Sequence, residues 1–263
     1  MTTLSLREIA ERHLDKTGDL SVNADVYGYI HRDDDARLFG ELAWSDVLPG
    51  SGTAVAPTTR SLRRHLETVS GPSVDLVVFL VGHEPDFSGV VDVDQVAKLQ
   101  YALQLVRDLY AQVDLGVRRI EWGRIPVADA AGFADITSLT GAVSLTVHFS
   151  GRPGAVDLFV VQTMGALAGR SPSPGPCSKD SLVNMSGTVV ELSWTPQFTG
   201  VLIAHELGHY LSLDHVSDEG NLMCGPSGVW PFRTSCEPSQ DNTEITTAQG
   251  AEMKTHCMIN PGG

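Results

Sequence analysis

His205 and His209 stand four residues apart in the segment VLIAHELGHYLSLDH, with Glu206 directly after the first of them. On a helix this spacing sets two side chains about 40° apart on one face and roughly 6 Å apart along the axis, so two imidazoles can grip one metal ion. Glu206 then points to the flank, where a carboxylate can hold a water at the ion without itself being a ligand. His215 follows ten residues after His205. A continued helix would carry it about 15 Å along the axis, too far to share the ion, so the helix must stop near Ser212 and turn back. With this chain's His and Glu frequencies, the first motif arises by chance in about one sequence in seventy, and with His215 added in roughly one in two thousand. That difference favours a metal site over three ordinary surface or core histidines. His13, His31, His65, His83, His148 and His256 have no such partner spacing.

The run HELGHYLSLDH followed by VSDEGNLMC resembles the metzincin signature, and the eight-residue step from His215 to Met223 is similar to that of the matrixins. The resemblance implies zinc ligation by His205, His209 and His215, base catalysis by Glu206, and a methionine turn in which Met223 floors the ligands. It implies hydrolysis of peptide bonds in extended polypeptide, through a zinc-bound water that Glu206 activates. Ser212 departs from the pattern, because it replaces the glycine that normally takes a left-handed turn there, at a cost of about 1 kcal/mol. Cys224 and Gly225 stand where some metzincins keep a tyrosine near the metal, so no tyrosine-assisted role is expected. The segment VDLFVVQTMGALAGRSPSPGP before SGTVVEL looks similar to bacterial relatives of the pappalysins. By the same likeness, Cys224 and Cys257 are the favoured pair for a disulfide in the lower subdomain. Residues 164–169 are the expected edge strand, with Gly165, Ala166, Leu167 and Ala168 against substrate. Trp230 and Phe232 fall where metzincins build one wall of the specificity pocket, or else they anchor a loop.

The elements that must position these residues read as an α+β fold. DLVVFLV is a continuous apolar run fit for a buried strand, and VDQVAKLQYALQLVRDLYAQV follows with helical spacing. VRRIEWGRIPV, VDLFVV and SGTVVEL read as further strands, and SLTGAVSLTVHF between them leans towards helix. A twisted, mostly parallel sheet with a long backing helix and the zinc-binding helix is expected, closed by a small irregular C-terminal subdomain ending in a helix at ITTAQGAEMKTHCMI, with Thr246 and Gln249 as a capping box. Residues 1–72 form a separate N-terminal segment, accessory or pro-segment-like, with a helical stretch at Leu4 to Lys16 and an acidic run at Asp33, Asp34 and Asp35. The catalytic domain is expected over 73–263, its upper subdomain to about 211 and its lower from 212.

The net charge of -14 opposes binding to nucleic acid or anionic lipid, which carry the same sign, and it leaves room for calcium sites beside the zinc. No apolar run is long enough to span a bilayer, so membrane insertion is not expected. Cys177, Cys224, Cys236 and Cys257 are even in number and cluster around the motif, which points to disulfides in three open pairings and favours secretion over the cytoplasm. A monomer acting on polypeptide is the expectation. The competing readings are a catalytically silent zinc module, which the intact Glu206 opposes, and a dedicated hydrolase for one non-generic amide. A distant glutamate as third ligand is disfavoured because His215 already stands at the metzincin spacing.

Overall fold

The computed structural model describes residues 71–82, 93–130, 132–165, 167–179, 185–192, 195–226 and 236–262. The expected helix and acidic run of the N-terminal segment lie outside them, as do Ala166, Trp230 and Phe232. The sheet is built from β1 (Ser73–Val81), β2 (Gly116–Ile125), β3 (Val156–Val161), β4 (Gly169–Arg170), β5 (Gly187–Glu191) and β6 (Ile259–Asn260). Its order is β2-β1-β3-β5-β4, with β6 paired to the start of β1. β2, β1, β3 and β5 run parallel, while β4 at the edge and the short β6 are antiparallel.

Among the described residues five α-helices accompany the sheet: α1 (Val93–Tyr110), α2 (Val127–Ala130), α3 (Leu139–His148), α4 (Pro196–Tyr210) and α5 (Thr247–Met253). Parallel strands linked by helical crossovers end up covered on both faces, which is why β1, β3 and β5 are buried along almost their whole length rather than alternating in and out. Val74, Leu76, Val78 and Leu80 of β1 share one core with Leu99, Leu103 and Val106 of α1 and with Ile203 and Leu207 of α4. The opposite face carries a second core in which Phe159 and Val161 meet Ala142 and Leu145 of α3. There Phe79 and Phe159 stack with ring centroids 4.9 Å apart. The sheet is thus a middle layer, with α1 and α4 on one side and α3 on the other.

The ambiguous segment around Ala142 is helical because Ser138 caps it, its side chain accepting from the Gly141 N–H. Two features bring α1 and α4 together. A Cβ on Gly200 would sit 3.0 Å from the carbonyl oxygen of Ala102, so only glycine permits the approach. The Tyr110 hydroxyl donates to the Ala204 carbonyl at 2.9 Å, which fixes the long backing helix against the helix that carries the histidines.

Both disulfides differ from the expected pairing. Cys177 bonds Cys257, and Cys224 bonds Cys236. The correction is one of distance in the fold: Cys257 follows α5 and lies beside the segment after β4, whereas Cys224 is claimed by the loop twelve residues on. The edge strand also falls later than expected, because Gly165 turns in the left-handed region at φ +60° and the strand paired with β5 begins at Gly169.

Candidate metal centre

Thr195 caps α4 by accepting from the Phe198 N–H, and Pro196 occupies its first position, where a missing N–H costs nothing. The helix runs to Tyr210 and stops in a Schellman turn. The Ser212 N–H donates to the His209 carbonyl at 3.0 Å and the Leu213 N–H to Gly208 at 2.9 Å, with Ser212 in the left-handed region at φ +85°. The non-glycine residue therefore takes the conformation that the motif demands. The reversal carries His215 back under the helix.

The three histidine rings converge. Nε2 of His215 lies 3.2 Å from Nε2 of His205 and 3.0 Å from Nε2 of His209. Ligands about 2.05 Å from a tetrahedral zinc are about 3.3 Å from each other, so the spacing suits that ion. The far nitrogens decide the protonation. Nδ1 of His205 donates to the Leu222 carbonyl at 2.7 Å and Nδ1 of His209 to the Leu213 carbonyl at 2.6 Å. A carbonyl oxygen only accepts, so each neutral ring keeps its proton on Nδ1 and turns an Nε2 lone pair inward. Burial, with the neighbouring histidines adding to it, pushes His205 down to about 3, and burial pushes His209 down to about 4, so both are neutral at physiological pH. Facing lone pairs at this distance repel unless a cation lies between them. Among the described residues this is the one group of three metal-ligating side chains.

Below the rings, Met223 is fully buried, and a Cβ on Gly208 would come within 2.7 Å of its sulfur, so the thioether sits directly against the helix between His205 and His209. The turn that presents it is tied at both ends. The Val216 N–H donates to the Met223 carbonyl, and the Met223 N–H donates to Asn221 Oδ1, both at 2.9 Å. Asn221 in turn exchanges a pair of amide hydrogen bonds with Gln249 in the first turn of α5. Gln249 also completes the capping box with Thr246.

Glu206 is buried beside the ligands, and burial raises its carboxyl to about 8 against the opposing charge of Arg170. Its nearest wall is backbone: a Cβ on Gly169 of β4 would stand 2.6 Å from Glu206 Oε1. Glycine at 169 is what leaves room for the carboxylate.

No known family model matches this chain. No curated protein matches its sequence either. Solved structures do show likeness at low identity. Metalloproteinase-II from Bacteroides fragilis aligns over 72% of this chain and 54% of its own, with 14% identity and a TM-score of 0.45. The archaemetzincin of Methanopyrus kandleri aligns over 70% of this chain and 94% of its own, at 14% identity and a TM-score of 0.41. A chaperone-substrate complex aligns over 72% of this chain and 34% of its own, at 13% identity and a TM-score of 0.39. The chain thus spans about half the length of the Bacteroides protein.

The histidines and Glu206 form the floor of a cleft of about 1240 Å³. One wall is the segment from Leu167 to Cys177 and the other includes Pro226 and Pro238. The first wall is pinned from behind. The Gly175 N–H donates to the Tyr210 carbonyl at 2.8 Å, the Tyr210 hydroxyl donates to the Pro176 carbonyl at 2.8 Å, and His256 Nε2 donates to the Gly175 carbonyl at 3.0 Å. Ser173 adds a bond to Asp214 at 3.2 Å, which makes Asp214 a turn-holding residue, and Cys177 is tied to Cys257.

Of the residues expected against substrate, Leu167 and Ala168 line the cleft and Gly165 does not. Gly169 closes the expected edge strand, but Arg170, one residue beyond it, was not legible as a site residue. A two-residue strand in a run of Gly, Ser and Pro carries no periodicity to read.

Proposed function

We propose that this protein is a zinc-dependent endopeptidase. The observation that carries the reading is the convergence of three Nε2 atoms, with the far nitrogens of His205 and His209 held on backbone carbonyls. His205, His209 and His215 would hold the ion, leaving a fourth position open towards the cleft, as hydrolytic rather than structural sites do. Zinc bound there supplies Lewis acidity, which lowers the pKa of a water towards 7 and polarises a carbonyl.

Glu206 does the proton work. Burial alone favours its protonated form, but beside a cation on the three histidines it would be ionised, and its carboxylate would take a proton from the attacking water as the oxygen adds to the peptide carbon, then deliver that proton to the departing amide nitrogen. The C–N bond breaks, and the products are a carboxylate and an amine. An extended polypeptide would lie along the segment from Leu167 to Arg170, whose glycine and small side chains allow close backbone approach. Metzincin membership, action on polypeptide as a monomer and secretion belong to the same proposal. The two disulfides suit an oxidising compartment, and no helix among the described residues is long and apolar enough to cross a membrane. No group among the described residues argues for calcium.

The deciding experiment is cleavage of a mixed-sequence quenched peptide library by the full chain, beside chelator-treated protein and Glu206→Ala. Cleavage that needs zinc and falls at least about a hundredfold in the variant supports the reading. Zinc bound stoichiometrically with no turnover of any peptide would return weight to a silent zinc module.

A further inference from the structure

Among the described residues lining the cleft Arg170 is the single Lys or Arg, and it also lines a second cavity. Its place follows from the pleat of β4. Gly169 pairs with Val190 and faces Glu206, so Arg170, paired with Val189, belongs to the opposite face of the sheet. On that face lies a cavity of about 250 Å³ in which Ile136, Leu139, Met164 and Leu167 meet the hydroxyl-bearing Thr137 and Ser138, with Arg170 as the one charge among its described lining residues. At about 30 Å³ per water-sized group, this is room for one substantial side chain. Leu139 and Leu167 are 50% and 45% exposed there, two of the three large hydrophobic residues most exposed among those described. No ion pair or hydrogen bond to the guanidinium occurs among the described residues. A largely apolar sleeve with a cation at its mouth, one that feels the charge of Glu206 but is held by no direct ion pair among the described residues, has the chemistry of a receptor for methylenes ending in a carboxylate.

We infer that Arg170 makes the cleft selective for substrates with an acidic side chain, glutamate above all, beside the bond that is cut. This rests on the peptidase reading and adds its substrate class. A chain extended along β4 presents alternate side chains to opposite faces. The residue facing as Arg170 does enters the smaller cavity, its methylenes against Ile136 and Met164 and its carboxylate on the guanidinium. Arg170 acts as a specificity-determining residue, distinct from the proton-transferring Glu206.

The test uses blocked peptides, acetylated and amidated, that differ only by Glu or Gln at one position near the scissile bond. For the zinc-loaded full chain, kcat/KM for the best Glu peptide exceeds that of its Gln twin by about tenfold or more. In Arg170→Gln the ratio falls towards one, and Arg170→Glu turns the preference to Lys. The ratio is the readout because a folding defect, or a general loss of rate, lowers both twins alike. A ratio near one at every position in the unaltered protein, or one that persists in Arg170→Gln, overturns the inference. Binding of fluorescent versions of the same twins to zinc-loaded Glu206→Gln is measured by anisotropy in parallel. If no peptide is cut, a Glu preference in binding that disappears on Arg170→Gln upholds the acidic-ligand site while the peptidase reading falls. No preference in binding overturns the inference itself.

Discussion

His205, Glu206 and His209 were readable from spacing, because the chemistry of a helical face is local: residues four apart share a side of the helix whatever the rest of the chain does, whereas the place of Met223 was expected only from the family resemblance. Ser212 shows where local reading also anticipates strain. Its φ of +85° is left-handed, and the Schellman bonds on either side hold it there. Ser212→Gly should raise stability by about 0.5–1 kcal/mol in urea unfolding, with zinc affinity unchanged. A loss of stability instead would mean that the serine hydroxyl contributes more than its backbone costs. Arg170 is the contrasting residue. Nothing flanking it in sequence announces a role, since its importance comes from which face of a two-residue strand it occupies.

At the scale of elements, the segment from Gly169 to Cys177 reads in sequence as a loop, and only the structure shows it as a wall fastened to α4 and to the residues after α5. Gly175 is the tightest point, because a Cβ there would lie 2.3 Å from the Tyr210 ring. Gly175→Ala should push the wall off the zinc helix at a cost of about 1–3 kcal/mol in stability and raise KM more than it lowers kcat. His256 is the titratable part of this fastening. Its Nε2 donates to Gly175 while its Nδ1 accepts from the Met258 N–H at 3.2 Å, so the neutral ring satisfies both contacts and protonation breaks one. Burial lowers its pKa, with the Gly175 bond partly opposing. A base whose folded pKa is depressed contributes stability above its unfolded value near 6.5, and that stability is lost as pH falls towards the folded value. The destabilisation caused by His256→Gln should therefore shrink between pH 7.5 and 5.5, as followed by thermal unfolding. A deficit that stays constant across that range would place the ring's role in packing rather than in titration.

For the whole molecule, the order of parallel strands and the backing helix were legible because runs such as DLVVFLV are buried on both faces and look it. The cysteine partners were not, since pairing depends on residues eighty apart in sequence meeting in space. The Cys177–Cys257 bond closes the longer loop and joins a cleft wall to the end of the chain. Replacing both by serine should cost about 2–5 kcal/mol, read from the denaturant midpoint, whereas the same change at Cys224 and Cys236, closing twelve residues, should cost less. The charges follow a global logic as well. Asp157 on β3 is fully buried against Lys179, and Asp75 on β1 is clasped by Arg118 and Arg152, so ion pairs fasten loops and neighbouring strands to the core strands.

The pairing of Ile259 and Asn260 with Ser73 and Val74 has a bearing on synthesis. β1 lies in the interior of the sheet, yet its first residues wait for a partner that leaves the ribosome almost two hundred residues later, together with Cys257. The nascent chain can dock β2, β3 and β5 and even form the histidine helix in order, but its last strand and longest covalent tether must be added once translation has reached residue 260. Until then the cleft wall lacks its tether from Cys177 to Cys257, and maturation of the site becomes a late event, set by residues 257–260 rather than by the histidine motif that precedes them.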